Sequence, residues 1–293
     1  EARFSALAAG VQHTCALVAG GAVHCWGLGH SGELREPRSL PGAHRLRAIG
    51  AGARCGLSTD DELLCWGADA ETAAVDPGRS LAAVASGTFH SCAVTTTLTT
   101  WCWGNNGHGE LGVDDVTCAS APCRSEPQEV AAAPPLVDLA LGRDFSCGLT
   151  AGGSAWCWGR NDFGQLGDGT RSDRPVPMPV SGGHVFTSLA AGEFHACGID
   201  GDGQLFCWGG DRTGFGNGAD PAESAVEADV PIPGASGLRF TSTRIGGGRQ
   251  CGLDDAGVAW CWGGNATAGL GNGTAQRFPP ITVPTRVVRH PAR

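Results

Sequence analysis

Apolar positions along this chain come in short runs broken by Gly, Asn, Asp and Pro, and no stretch of helical length carries a 3.6-residue period. One kind of run is built of small residues and ends in Gly: Phe4-Ser-Ala-Leu7-Ala-Ala-Gly10, Leu81-Ala-Ala-Val84-Ala-Ser-Gly87 and Phe186-Thr-Ser-Leu189-Ala-Ala-Gly192. Its other copies end in Gly50, Gly142 and Gly246. Five residues after that Gly stands a Cys, followed by a small and then an aliphatic residue, as in Cys15-Ala-Leu17 and Cys197-Gly-Ile199. Ten residues further comes a second Cys, with Trp-Gly directly after it, from Trp26-Gly27 to Trp262-Gly263. The small-residue run predicts a strand in a crowded place where backbones come close. The two Cys-bearing runs predict a β-hairpin, whose turn takes a left-handed residue from Gly21, Gly153, Gly203 and Gly257 in four of the six copies. A Gly- and Asn-rich loop, clearest over Arg160–Gly169, then leads to Pro-spaced runs such as Pro127-Gln-Glu-Val130, Pro177-Met-Pro-Val180 and Pro284-Thr-Arg-Val287. Pro donates no ladder hydrogen bond, so these runs are expected at a sheet edge.

The repeating unit is therefore a sheet of four strands whose two faces differ. Facing residues of neighbouring antiparallel strands have Cα atoms about 4.5–5.5 Å apart, within reach of a disulfide. The Trp after the second Cys points to the opposite face, because strand side chains alternate. A disulfide on one face and a large aromatic on the other both need cover, so sheets must stack on sheets. First cysteines spaced 40, 37, 55, 50 and 54 residues apart mark a repeat architecture. The expected fold class is all-β: a single β-propeller domain over residues 1–293 with six four-stranded blades, the units falling near 4–45, 46–80, 81–136, 137–185, 186–239 and 240–293. The lengths before Cys15 and after Cys251 together make one more period. This predicts N- and C-terminal strands sharing one blade to close the ring.

The residues Gly10-Val-Gln-His13-Thr14-Cys-Ala-Leu17 and Trp158-Gly-Arg-Asn161-Asp-Phe-Gly164-Gln-Leu-Gly167-Asp-Gly169 resemble the regulator-of-chromosome-condensation repeat family, over nearly the whole chain. The resemblance implies a propeller, commonly of seven blades, where the copies here support six. Nuclear members lack this cysteine set, so nucleotide exchange on a nuclear GTPase is not carried over. The closer likeness is to secreted bacterial members.

Cysteine usage sets the compartment. All 14 fall into local pairs: Cys15/Cys25, Cys55/Cys65, Cys92/Cys102, Cys147/Cys157, Cys197/Cys207 and Cys251/Cys261 in the hairpins, and Cys118/Cys123 in an insertion. That pattern reads as disulfides in an oxidising space, extracellular, cell-surface or periplasmic, any signal peptide having been removed. A metal reading would need thiols of different repeats to converge, because ten residues is not a zinc-knuckle spacing. The formal net charge of −9 with no basic run argues against nucleic acid, and no apolar run is long enough to span a membrane. All 20 basic residues are Arg and there is no Tyr, a composition of GC-rich bacterial coding.

Several motifs offer chemistry, each with a plainer explanation. His13, His90 and His195 share one repeat position and could in principle meet a metal, but Ala53, Phe145 and Arg249 stand there in the other copies, so packed histidines are expected. Gly29-His-Ser-Gly32, Gly214-Phe-Gly-Asn-Gly218 and Asp200-Gly-Asp-Gly203 read as blade loops and a turn rather than a nucleophile elbow, a phosphate loop or a calcium loop. The Trp pairs beside the second Cys, such as Trp156 and Trp158, read as packing between blades. Asn265-Ala-Thr267 and Asn272-Gly-Thr274 are glycosylation sequons where a host uses them. The insertion over residues 113–124 is the strongest pointer to binding, since a cross-linked loop loses less entropy when it docks. Asp114, Asp115 and Arg124 within it, and Glu126 just after it, are the candidate binding residues. The expected function is a non-enzymatic binding module for a protein or surface polymer, needing no cofactor and no metal. A self-assembling surface protein and an enzyme with a site in the central channel are the alternatives.

Overall fold

A computed structural model describes residues 4–9, 13–18, 20–29, 32–39, 45–50, 55–60, 62–66, 72–75, 80–114, 124–211, 215, 226–235, 237–246, 248–265, 270 and 276–287. The described chain is all-β. The first sheet contains β1 (Phe4–Ala9), β2 (His13–Val18), β3 (Val23–Gly29) and β4 (Gly32–Ser39), and the second β5 (Leu46–Ile49), β6 (Cys55–Ser58), β7 (Leu63–Trp66) and β8 (Thr72–Val75). The third contains β9 (Leu81–Ser86), β10 (His90–Thr95), β11 (Thr100–Gly104) and β12 (Arg124–Glu129), and the fourth β13 (Leu136–Leu141), β14 (Phe145–Thr150), β15 (Ala155–Gly159) and β16 (Arg174–Pro179). The fifth contains β17 (Phe186–Ala191), β18 (His195–Asp200), β19 (Leu205–Asp211) and β20 (Val226–Pro233), and the sixth β21 (Phe240–Gly246), β22 (Arg249–Asp254), β23 (Ala259–Asn265) and β24 (Gln276–Arg286). Each sheet is an antiparallel meander in chain order. The proline-bearing strands β4, β12, β16, β20 and β24 all lie at the last edge of their sheets, where a missing N–H is tolerated.

The hairpins have the register that the ten-residue spacing demands. Cys147 pairs with Cys157 directly across β14 and β15. Cys15 faces Cys25, Cys55 faces Cys65, Cys92 faces Cys102, Cys197 faces Cys207 and Cys251 faces Cys261 in the same way. All six pairs are disulfides, with Cα atoms 4.0–4.1 Å apart, closer than the separation expected of facing strand residues. The turn glycines take left-handed φ values, +90° at Gly21 and +82° at Gly153. The third repeat has no Gly at this position, and Leu98 adopts φ 64° there instead.

Sheets pack face to face, and their two unlike faces interlock. The cluster around the Cys147–Cys157 bridge takes in Leu166, Phe186 and Trp208, so the sulfur face of the fourth sheet is covered by the tryptophan face of the fifth. Trp158 likewise enters the cluster of Cys92 and Cys102, and Trp262 that of Cys197 and Cys207. All three indoles are completely buried. The cover that the sequence predicts for every bridge is complete in these three sheets and partial in the others. Cys25 is half-buried, packed against the cluster of Cys15, Leu46 and Leu64, and Cys65 is half-buried beside Leu57 and Leu63. In the sixth sheet Cys261 is buried and its partner Cys251 only half so. Where the sheets meet just past their first strands, Gly87 leaves no room for a side chain. A Cβ at Gly87 would collide with the Gly142 carbonyl of the next sheet.

Head and tail do not share a blade as the period count predicted. β1 is the first strand of its own sheet and β24 the last strand of another. The reason is that the sixth unit brings its own small first strand, Phe240–Gly246, which leaves no open edge for Phe4–Ala9. The extra length near the C-terminus goes into β24, at 11 residues the longest strand. The first and last sheets are instead neighbours, with β1 in contact with β21 as β13 is with β17.

Candidate functional site

In a four-strand meander the loop between first and second strands and the loop between third and fourth open at the same end. That end of the third to fifth sheets collects Thr88 and Phe89, Arg143 and Asp144, Glu193 and Phe194, the segment Asn105–Asp114 and the segment Arg160–Asp173. Its floor is rigid. Asn161 Oδ1 accepts from the Leu166 N–H at 3.0 Å and closes the loop over a fully buried Leu166, and Asn106 does the same for Leu111. Asp168 accepts from Thr170, Asn161 and Arg174. Burial pushes the Asp168 carboxyl up, yet these donors outweigh it and hold its pKa below the usual range.

A buried polar chain ties this floor to the next sheet. The Ser146 hydroxyl donates to the Glu110 carbonyl at 2.9 Å, and Trp158 Nε1 donates to the same oxygen at 3.0 Å. With its proton so used, Ser146 Oγ accepts from His90 Nε2 at 2.7 Å, which fixes the imidazole as the Nε2–H tautomer. His90 Nδ1 is buried without a partner, and burial lowers the pKa of this histidine to about 3. This Ser–His pair is therefore mortar between blades, because Ser146 is fully buried and its hydrogen already points at a carbonyl. His195 is also buried, its ring against Gly192 and Phe215. The side chain of His13 lies outside the described residues. Among the described residues no three His, Cys, Asp or Glu side chains gather as metal ligands.

The exposed part of this end is an aromatic and arginine cluster. The Arg143 guanidinium carbon lies 5.4 Å from the ring centre of Phe89 and 5.7 Å from that of Phe194, residues of the two flanking sheets. Phe194 meets Phe163 edge to face at 5.5 Å, and Arg160 lies 5.6 Å over the Phe163 ring. The backbone holds the cluster in place, with Thr88 N donating to the Gly142 carbonyl and Arg143 N to the Glu193 carbonyl. Arg160 Nη1 donates to Asp144 at 3.2 Å and Nη2 to Asp162 at 2.6 Å. The Asp162 hydrogen bond, opposed by partial burial and joined by Asp144, raises the pKa of this guanidinium further. Phe89 is 45% exposed, unusual for so large a ring.

Of the predicted binding residues, Asp114 ends the described part of one loop at this end, and Arg124 and Glu126 lie in the strand that follows it. Asp114 and Glu126 are exposed, and Arg124 heads β12 opposite Gly104, next to Asn105, whose N–H bonds the Phe89 carbonyl. Asp115, Cys118 and Cys123 lie outside the described residues, so the seventh predicted bridge does too. Phe89, Arg143, Arg160 and Phe194 were missed from sequence alone. For Phe89 and Phe194 the available signal was alignment, since each stands three residues before a first Cys.

Comparison with known proteins fits this architecture. A family profile described as Regulator of chromosome condensation (RCC1) repeat matches residues 99–149 and 152–199, and a second profile of that description matches 4–33, 82–110, 136–165 and 186–214. Together they cover more than half of the chain. A probable E3 ubiquitin-protein ligase, HERC4 of Rattus norvegicus, is 38% identical over 96 residues, 32% of this chain and 9% of that protein. A secretion-regulating guanine nucleotide exchange factor of Bos taurus is 27% identical over 60% of this chain and 48% of its own length. The chain thus spans less than half the length of either relative. Among solved structures, yeast RCC1 (Prp20), crystallised with Kap60, superposes with a TM-score of 0.80 at 21% identity over 99% of this chain and 76% of that one, a likeness of fold.

Proposed function

Because the chain belongs to the Regulator of chromosome condensation (RCC1) repeat family, we propose that it is a binding module, exported from a bacterial cell, that docks a partner protein on the loop end of its third to fifth blades. The observation that carries this reading is a hydrogen-bonded scaffold holding a partly exposed Phe–Arg cluster. Rings and guanidinium groups enrich protein interfaces, and a site already fixed by the fold loses little entropy on docking. Six bridged hairpins speak for an oxidising compartment and so for export. The bacterial setting rests on the Lys- and Tyr-free composition. Yeast RCC1 (Prp20), of the same fold, is crystallised bound to another protein, Kap60. Guanine nucleotide exchange, named for the bovine relative, is no part of the proposal.

In this reading Asp114, Asp115 and Arg124 contribute from the insertion over residues 113–124, and Glu126 from the strand that follows it. The test is capture of partners by the oxidised chain from the source organism's surface fraction, with and without a Gly-Ser graft over residues 113–124. The graft is expected to keep the fold and the six hairpin bridges and to weaken capture at least tenfold. Undiminished capture would take the insertion out of the interface.

A further inference from the structure

The two arginines of the cluster are not equally satisfied. Arg160 has Asp144 and Asp162 within hydrogen-bond distance. For Arg143 the carboxylate found within 4 Å among the described residues is Asp144, at 3.7 Å from Nε, and that oxygen already accepts from Arg160. Nε of Arg143, like that of Arg160, is buried with no hydrogen-bond partner, while the Arg143 side chain as a whole remains 39% exposed against 24% for Arg160. Rings from both flanking blades lie 5.4 and 5.7 Å from the guanidinium carbon, and the backbone N–H of Arg143 is tied to Glu193. The fold has fixed a fork of donors and left it under-compensated.

We propose that the Phe89–Arg143–Phe194 cluster receives an acidic side chain of the partner protein, its carboxylate on the Arg143 guanidinium and its apolar neighbours on the two rings. This rests on the binding-module reading and names the chemistry of the partner. A carboxylate matches the planar fork in bidentate fashion. The rings reduce the freedom the arginine loses on binding, and they shield the new ion pair from water, which strengthens it. Polyphosphate backbones suit this end less, because Asp144, Asp162 and the chain's net charge of −9 oppose a dense run of negative charge that one carboxylate does not present.

The probe is a displayed library of random dodecamer peptides selected on the oxidised full chain, followed by calorimetry with synthetic peptides. Selected sequences are expected to carry Asp or Glu beside large apolar residues, and replacing that acid by its amide should weaken binding at least tenfold. Arg143→Gln should cost the same factor, and Arg143→Lys should restore only part of it, because a point charge lacks the fork. Far-UV circular dichroism and a count of free thiols check that these surface variants fold as the parent does. Basic or neutral selected peptides, no selection at all, or binding indifferent to Arg143→Gln would each overturn the proposal. So would a self-associating chain that Arg143→Gln renders monomeric, since the occupant would then be a second copy. Peptide binding lost on the 113–124 graft but not on Arg143→Gln refutes this inference while leaving the binding module standing; capture insensitive to both variants removes the loop end itself.

Discussion

His90 shows how a single side chain couples the blades to pH. Its ring is buried as the neutral Nε2–H tautomer on Ser146, and its pKa falls from 6.5 to about 3. A depressed folded-state value means that the unfolded chain binds the extra proton first. The stabilisation is therefore complete above about pH 6.5 and is lost as pH falls toward 3, with a slope of up to about 1.4 kcal/mol per pH unit from this group. Glu110, also buried, works in the opposite sense: burial raises its pKa, opposed by the His108 N–H, so its contribution is greatest in acid and is lost as pH rises through the raised value. In the fourth blade the same position is Gln165, which bonds the Phe163 N–H in the same way. Urea midpoints measured from pH 7 to pH 3.5 should fall for the parent and flatten in His90→Gln, whose amide can donate to Ser146 without titrating. Glu110→Gln should raise the midpoint at pH 7 and change it little at pH 4. Identical pH profiles for parent and His90→Gln would mean that the imidazole is not what titrates.

The element that makes the fold is the bridged hairpin, and its strength comes from location as well as covalency. A loop of ten residues closed by a disulfide stabilises by about 2–3 kcal/mol through the unfolded chain. The Cys147–Cys157 pair is also completely buried against Trp208 of the next blade. Changing both cysteines to Ala removes the cross-link and leaves a cavity beside the indole, so the cost should exceed the entropic figure by about 1–2 kcal/mol. Cys55–Cys65, whose second sulfur belongs to a half-buried residue, should show less of the packing component. Thermal unfolding of the two double variants under non-reducing conditions tests the order; equal losses would leave the inter-blade packing without energetic weight.

For the whole molecule the decisive feature is that every blade is one continuous segment. The fourth connects to the fifth through 180–185 and the fifth to the sixth through 234–239, and the turn carbonyls of Gly153 and Gly203 accept from the first N–H of the following blade, Phe186 and Phe240. β1 also touches β21, so the sixth blade is a neighbour of the first. A circular permutant opened at Gly183, with Arg293 joined to Glu1, should therefore fold with its six hairpin bridges and a near-UV spectrum like the parent's. Failure of that permutant to form native bridges would show that the first and sixth blades do not pack as successive neighbours.

The repeat, the hairpin register, the disulfide pairing and the proline edge strands were legible in the amino-acid sequence because each is set within some fifteen residues. A Cys ten positions from another, across a Gly turn, has little choice of partner. How deeply each bridge is covered was not legible, since Cys25 and Cys157 share one local pattern and differ only in what the next sheet lays over them. Which indole covers which sulfur, and the meeting of Phe89, Arg143 and Phe194, are different matters, since these residues stand more than fifty positions apart in sequence and belong to three blades. Only the stacking of one sheet on the next brings them together. The same holds for the ends of the chain: counting residues suggested a shared blade, but the sixth unit's own first strand had already filled that edge. Local spacing dictated the blades, and packing between them decided the surface they present.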